Sequence, residues 1–241
     1  MEQTVQSTKQ TNYVACLKWG DKYSPEYVNN LYNMVQRNLS LRHEFVCFTE
    51  NSKGLNPDIK VHPLPNLRTT GWWYKPYFLS GKLPLKPGTL LFLDLDLIVF
   101  KNIDKLFKYE PGKFCIIRDF NRKFRPSWNR MNSSVFRVDI GTYNHVWQEF
   151  KDNHSLHQRS NHGDQDFLFK QINDHVFWPD EWIQSYKWEM RGRNELQYMN
   201  RRRDFKSPKD PTVLEDTSIA VFHGQPDIHD TIDTWPRLHW R

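Results

Sequence analysis

One apolar run ends in two closely spaced carboxylates, and this run constrains the fold more than any other segment of the chain. Leu90-Leu91-Phe92-Leu93 leads into Asp94-Leu95-Asp96, and Leu97-Ile98-Val99-Phe100 follows. The pattern predicts a buried strand, at the end of which unpaired charge would be costly. Because side chains alternate along an extended chain, we expect Asp94 and Asp96 on the same side. The pair predicts a site for Mg²⁺ or Mn²⁺, with a salt-bridged turn as the alternative.

Apolar runs alternate with helical patterns in the first half of the chain. Strands are predicted at 13–17 and 45–48, and a helix begins at Pro25, for which Ser24 is a suitable cap. Further strands are expected at 59–64, 114–117, 134–138 and 219–222, and helices at 72–79, 141–152 and 164–173. The alternation predicts an α/β fold with a partly parallel sheet, in which ligands collect at the carboxyl ends of the strands.

Composition limits the class of protein and its partners. The 241 residues suit a single domain, and an aromatic content of 15% argues against a disordered chain. A net charge of +6 favours an anionic partner. Cys16, Cys47 and Cys115 lie in apolar runs, which indicates reduced thiols. The sequence has no apolar run of membrane-spanning length and begins with a polar segment, so we expect a cytoplasmic protein.

Two enzyme classes use an apolar strand that ends in D-x-D. A phosphatase of the haloacid-dehalogenase type would use Asp94 as nucleophile, but its motif usually lies on the first strand. In GT-A glycosyltransferases a nucleotide-binding half precedes the motif, and here about ninety residues precede it. The position of the motif favours the second class.

Several further motifs occur in the order that this second class shows. The chain from about residue 13 to 230 resembles the retaining GT-A glycosyltransferases that include glycogenin and the bacterial lipopolysaccharide galactosyltransferases. The segments that carry the resemblance are Trp73-Tyr74-Lys75, Leu93-Asp94-Leu95-Asp96, Met131-Asn132-Ser133-Ser134-Val135, His162-Gly163-Asp164-Gln165-Asp166 and Phe222-His223-Gly224.

The resemblance implies a fold and a reaction. The fold would be a single Rossmann-like GT-A domain over 1–241 with a mixed, mainly parallel sheet. Residues 12–100 would form the nucleotide-binding half, and 101–241 an acceptor-side half with a basic loop at 185–216. The enzyme would move a hexose from a nucleotide-sugar, usually a UDP-sugar, to a carbohydrate or glycolipid acceptor. Retention of configuration and a Mn²⁺ or Mg²⁺ cofactor are implied in the same way.

The resemblance also assigns roles to individual residues. The metal ligands would be Asp94, Asp96 and His223. The catalytic pair nearest the reacting carbon would be Asp164 and Gln165. The donor would contact Leu17, Trp19, Lys75, Asp94 and Asn132, with Trp19 stacked on the base. Structural alternatives stay open for several of these side chains: a turn histidine, a helix cap, a surface lysine, a core tryptophan and a strand-end asparagine.

The sequence departs from the family where a lysine often follows the late H-G and grips the diphosphate. Gln225-Pro226-Asp227 stands there instead, so another cation would have to serve: Lys75, Arg191, Arg193 or Arg237. A basic segment with Trp188 and Tyr198 interleaved includes Arg191, Arg193, Arg201, Arg202, Arg203, Lys206 and Lys209. It suits a solvated or acceptor-binding loop, or peripheral contact with an anionic membrane. Nucleic acid is not expected, and a basic polyanion-binding adaptor is the non-enzymatic alternative.

Overall fold

The computed structural model describes residues 10–192 and 208–241. A seven-stranded sheet forms its centre, in the order β3-β2-β1-β4-β7-β6-β8. The strands are β1 (Thr11–Lys18), β2 (His43–Thr49), β3 (Lys60–His62), β4 (Gly88–Leu93), β6 (Cys115–Arg118), β7 (Met131–Asp139) and β8 (Val176–Phe177). Only β7 runs antiparallel to its neighbours in this sheet. The predicted mixed, mainly parallel α/β fold is thereby confirmed.

The strand that directly follows the acidic segment belongs to a second, smaller sheet. β5 (Leu97–Val99) pairs antiparallel with β10 (Ile219–Val221), which pairs in parallel with β9 (Ile183–Ser185). The apolar run at 90–100 is therefore two strands in two sheets. Asp94, Leu95 and Asp96 form the bend between them. The sequence pattern placed the end of the first strand at the carboxylates, but it did not reveal the partner of β5, which lies more than a hundred residues further along the chain.

Helices cover both faces of the large sheet. α1 (Pro25–Asn38) starts with Pro25 in its first turn, as predicted. It packs with the small sheet against one face of the large sheet. On the other face lie α3 (Asn144–Ser160) and α4 (Asp164–Gln171). Two further helices are short: α2 (Asp104–Lys108) and α5 (Thr234–His239).

The segment predicted as a helix over 72–79 is a 3₁₀-helix over Gly71–Leu79. Pro76 lies inside it and has no N–H to donate, which weighs against a regular α-helix. The predicted basic loop at 185–216 also starts differently: Ser185 ends β9, and Tyr186–Met190 form a helical turn. Arg193, Tyr198, Arg201, Arg202, Arg203 and Lys206 lie outside the described residues.

The three cysteines are buried and unpaired, as their apolar surroundings predicted. No helix among the described residues is long and apolar enough to cross a membrane.

Candidate active site

The acidic bend lies at the carboxyl end of β4, between the two sheets. The Asp94 N–H donates to the carbonyl of Ser134 on β7 at 2.8 Å. The Asp96 carbonyl accepts from the N–H of Phe222, just past β10, also at 2.8 Å. Each sheet therefore holds one end of the bend. Both carboxylates face the same cavity, as the alternation of side chains predicted.

That cavity, of about 260 Å³, has aromatic walls, and we call it the aromatic cavity. Trp19 and Trp72 are 39% and 56% exposed at its mouth. Gly71 begins the 3₁₀-helix at φ +56°, a left-handed conformation that favours glycine. The residues that line the aromatic cavity are Leu17, Trp19, Lys22, Tyr23, Gly71, Trp72, Lys75, Asp94, Leu95 and Asp96.

A second cavity, of about 240 Å³, adjoins the first, and we call it the acidic cavity. The two share Trp72, Lys75 and Asp94 as walls. The start of α4 supplies the far side. The residues that line the acidic cavity are Trp72, Lys75, Asp94, Ser133, Ser134, His162, Gly163, Asp164, Gln165 and Asp166.

Lys75 is the buried cation where the two cavities meet. Its side chain is 6% exposed, and Nζ donates to Asp94 Oδ2 at 2.7 Å. Nζ also donates to the carbonyl and the hydroxyl of Ser133, at 3.2 and 3.3 Å. Burial lowers the pKa of Lys75, but the carboxylates of Asp94 and Asp164 outweigh it and raise the pKa overall. Lys75 is therefore a fixed positive charge between two carboxylates, and not the solvated surface lysine of the structural alternative.

Asp96 is the second carboxylate of the bend. Burial and the neighbouring charge of Asp94 raise its pKa to about 7, against the opposing charges of Lys75 and Lys22. The Tyr23 hydroxyl donates to Asp96 Oδ2 at 3.3 Å. Two close carboxylates that repel each other offer the oxygen ligands that a hard divalent cation takes. The chemistry of this pair thus fits Mg²⁺ or Mn²⁺.

His223 lies two residues after the end of β10 and follows Phe222, whose N–H bonds to the Asp96 carbonyl. Its Nε2 shares a hydrogen bond of 2.7 Å with the Ser185 hydroxyl. Its ring stacks on Phe120 with centroids 5.0 Å apart. Within residues 10–192 and 208–241, no three His, Cys, Asp or Glu side chains come together as a metal-binding group. Asp94, Asp96 and His223 do not form such a group here, and their role as metal ligands stays a prediction.

The remaining predicted residues divide between the cavities and their surroundings. Leu17 and Trp19 line the aromatic cavity, and Asp164 and Gln165 line the acidic one. Asn132 does not line either cavity: its Oδ1 accepts from the N–H of Ser134 at 3.0 Å. The two serines that follow it face the acidic cavity instead.

Asp164 starts α4 and is 4% exposed. Its Oδ2 is buried and has no hydrogen-bond partner among the described residues. Burial raises its pKa, against the charge of Lys75. Gly163 is the N-cap residue of α4, so Asp164 occupies the first helical position.

The candidate phosphate cations are also placed. Arg191 Nε donates to the buried Asp233 at 2.7 Å. Arg237 Nη2 lies 3.5 Å from the carbonyl of Thr231, and Arg193 lies outside the described residues. Sequence reasoning missed Lys22, which lines the aromatic cavity. Lys22 lies in the loop after β1 and belongs to none of the sequence motifs. Its closeness in sequence to the end of that strand was the one clue to a site.

Comparison with solved structures identifies the fold. GlyE, a glycosyltransferase of Streptococcus pneumoniae, superposes with a TM-score of 0.63 at 14% identity over 96% of this chain. The galactosyltransferase LgtC, solved with donor and acceptor sugar analogues, gives 0.59 at 12% identity over 90% of this chain and 88% of its own. Mouse xyloside xylosyltransferase 1 gives 0.51 at 16% identity over 88% of this chain and 98% of its own.

The chain has a GT-A fold. This confirms the fold that the motif order implied. The chain spans 60% of the length of GlyE. No protein-family model matches the sequence, and no curated protein matches it.

Proposed function

We propose that this GT-A chain is a glycosyltransferase that moves a hexose from a nucleotide-sugar, a UDP-sugar, to a carbohydrate or glycolipid acceptor. The observation that carries the proposal is that the two cavities adjoin and share Lys75 and Asp94 as walls. One cavity offers aromatic surfaces for a base, and the other offers carboxylates and an amide for hydroxyl groups. The proteins of known structure that share this fold, GlyE and LgtC, are glycosyltransferases, and this supports the proposal.

Each part of a nucleotide-sugar has a counterpart in the cavities. Trp19 and Leu17 would contact the base, and Lys75 would face the diphosphate from the junction. Asp164 Oδ2, which lacks a partner, would accept from a sugar hydroxyl. Gln165 would place its amide oxygen near the cationic sugar carbon, where negative potential lowers the energy of an oxocarbenium-like transition state. Retention of configuration follows from the family resemblance.

Asp94 and Asp96 would hold the divalent cation, Mn²⁺ or Mg²⁺. When bound, the cation stabilises the negative charge that develops on a departing diphosphate. Lys75 holds Asp94 Oδ2 at 2.7 Å and so fixes the orientation of that carboxylate. His223 would complete the site after a rearrangement of its hydrogen bond with Ser185.

The phosphatase alternative gains no support. The solved structures with which this chain was compared are glycosyltransferases. No described feature favours a polyanion adaptor either, since the carboxylate bend would then have no role.

The first test is thermal unfolding with UDP, GDP, CDP or ADP, each with and without Mn²⁺. A ligand at 100 times its Kd stabilises the native state by about 2.7 kcal/mol, enough for a visible rise in Tm. We expect a rise with UDP that requires the metal. Asp96→Ala should abolish the rise, whereas Asp58→Ala, at an exposed turn before β3, should keep it. Metal-dependent UDP binding by Asp96→Ala would contradict the proposed metal site, and no rise with any diphosphate would contradict the function.

A further inference from the structure

The acidic cavity contains more negative than positive side chains. The charged groups that line it are the Asp94, Asp164 and Asp166 carboxylates and the Lys75 ammonium, with the imidazole of His162 beside them. The ammonium is already bound to Asp94 and Ser133. A divalent cation at Asp94 and Asp96 would not neutralise the negative charges of Asp164 and Asp166. The part of the cavity at the start of α4 is therefore acidic with or without the metal.

In this part of the cavity, Asp164 has a carboxylate oxygen that could accept a hydrogen bond from a ligand. Its Oδ2 is enclosed and lacks a hydrogen-bond partner among the described residues. A buried acceptor without a partner is unfavourable, and a ligand hydroxyl would satisfy it. Asp166 lies two residues further along α4, and its Oδ2 accepts from the backbone N–H of His162 at 3.3 Å. Both carboxylates accept hydrogen bonds, and neither can donate when ionised.

We propose that the acidic cavity selects a neutral donor sugar and rejects a hexuronate. This inference rests on the proposed function and narrows its substrate class. A neutral hexose brings hydroxyl donors to Asp164 and Asp166. A hexuronate would bring a carboxylate into a space whose lysine is already committed to Asp94. Like charges there repel, most strongly at Asp164, because that carboxylate is buried and little screened by water.

The test compares Kd values for UDP-glucose, UDP-galactose, UDP-glucuronate and UDP-galacturonate by calorimetry at one Mg²⁺ concentration, with UDP as reference. The uridine diphosphate is common to all five ligands, so ratios of Kd isolate the sugar. We expect each uronate to bind at least tenfold more weakly than its neutral counterpart, whichever epimer is preferred. If each uronate bound as tightly as its neutral counterpart, the inference would be overturned and the proposed function would stand. Failure of UDP itself to bind would overturn both.

A matched variant tests whether the carboxylates cause the selection. Asp166→Asn keeps the shape of the side chain and removes its charge, so the uronate-to-neutral ratio of Kd should fall several-fold. Asp58→Asn makes the same change at an exposed position outside both cavities and should keep the wild-type ratio. If Asp166→Asn and Asp164→Asn, each shown to be folded by circular dichroism, both keep the wild-type ratio, the charge of the cavity is not the cause and the inference fails.

Discussion

At the scale of single residues, Lys22 has the clearest consequence for binding. Of the two described lysines that line the cavities, Lys75 is buried against Asp94, and Lys22 remains exposed. Lys22 Nζ donates to the Tyr23 hydroxyl at 2.7 Å and lies 4.4 Å from the centre of that ring. We expect Lys22 to contact the phosphates of a bound nucleotide.

Lys22→Ala should therefore weaken UDP binding about tenfold, the value of one charge-assisted hydrogen bond. Binding of uridine, which has no phosphate, should change little. Kd values for UDP and uridine measured in parallel check this, with Lys86→Ala as a control at an exposed position near the start of β4. An equal loss for both ligands would mean that Lys22 supports the wall of the cavity and does not bind phosphate.

Single residues also show what the sequence could and could not predict. Asp94 and Asp96 were predictable because charge at the end of an apolar run has few structural explanations. Asp164 was found through motif order, and its unpartnered oxygen emerged only from packing. The position of Asn132 differed because its side chain serves the backbone of its own strand. A sequence pattern does not distinguish an amide that faces a cavity from one that faces the chain.

At the scale of elements, a buried ion pair fastens the turn Tyr186–Met190, which follows β9. Arg122, in the 3₁₀-turn Phe120–Lys123, donates from Nε to Glu189 Oε1 at 3.1 Å. Glu189 Oε2 accepts from the N–H of Ser185 at 2.8 Å, and Ser185 holds the imidazole. The ion pair thus joins β9 and the turn Tyr186–Met190 to the large sheet.

Arg122→Leu should cost about 3 kcal/mol of unfolding free energy, because Glu189 would keep its buried charge without this cation. Urea unfolding measures the loss as a lower midpoint. The exposed pair between Lys60 and Glu44 is the matched control, and Lys60→Ala should cost under about 1 kcal/mol. If Arg122→Leu and Lys60→Ala lowered the free energy of unfolding by the same small amount, the Arg122 ion pair would not stabilise the fold.

Elements were predictable where local pattern decides and not where distant pairing does. The helix at Pro25 follows from periodicity and from proline in its first turn, and the strands at 13–17, 45–48 and 114–117 follow from their apolar runs. The assignment of Leu97–Val99 to a second sheet depends on β10, far away in the sequence. The limits of β7 and α3 also extend beyond their apolar cores, because pairing and packing continue past the residues that reveal them.

At the scale of the whole molecule, Asp233 ties the C-terminal segment to the turn Tyr186–Met190. It is fully buried and accepts from the Tyr186 hydroxyl at 2.7 Å and from Arg191 Nε at 2.7 Å. Burial raises the pKa of Asp233, but the hydrogen bonds from Arg191 and Tyr186 outweigh it and lower the pKa below its usual value. A lowered native pKa means that the ionised form stabilises the fold above the unfolded-state pKa.

Asp233→Asn should therefore lower the unfolding free energy at pH 7 by about 2 kcal/mol. The difference from wild type should shrink as the pH falls below about 4, because the unfolded carboxyl then takes up a proton. Urea unfolding of both proteins at pH 7 and pH 3 checks this prediction. A difference that stays constant with pH would show that the charge of Asp233 contributes nothing.

The bend at Asp94–Asp96 belongs to neither sheet, although each sheet holds one end of it. Its geometry therefore persists only while the two sheets stay docked. Any partial opening that parts them disperses the carboxylates before either sheet loses its own hydrogen bonds. In mild denaturant, capacity to bind ligand should disappear ahead of the far-ultraviolet ellipticity, and the amide hydrogens of Asp94 and Phe222 should exchange sooner than those within β1 and β4.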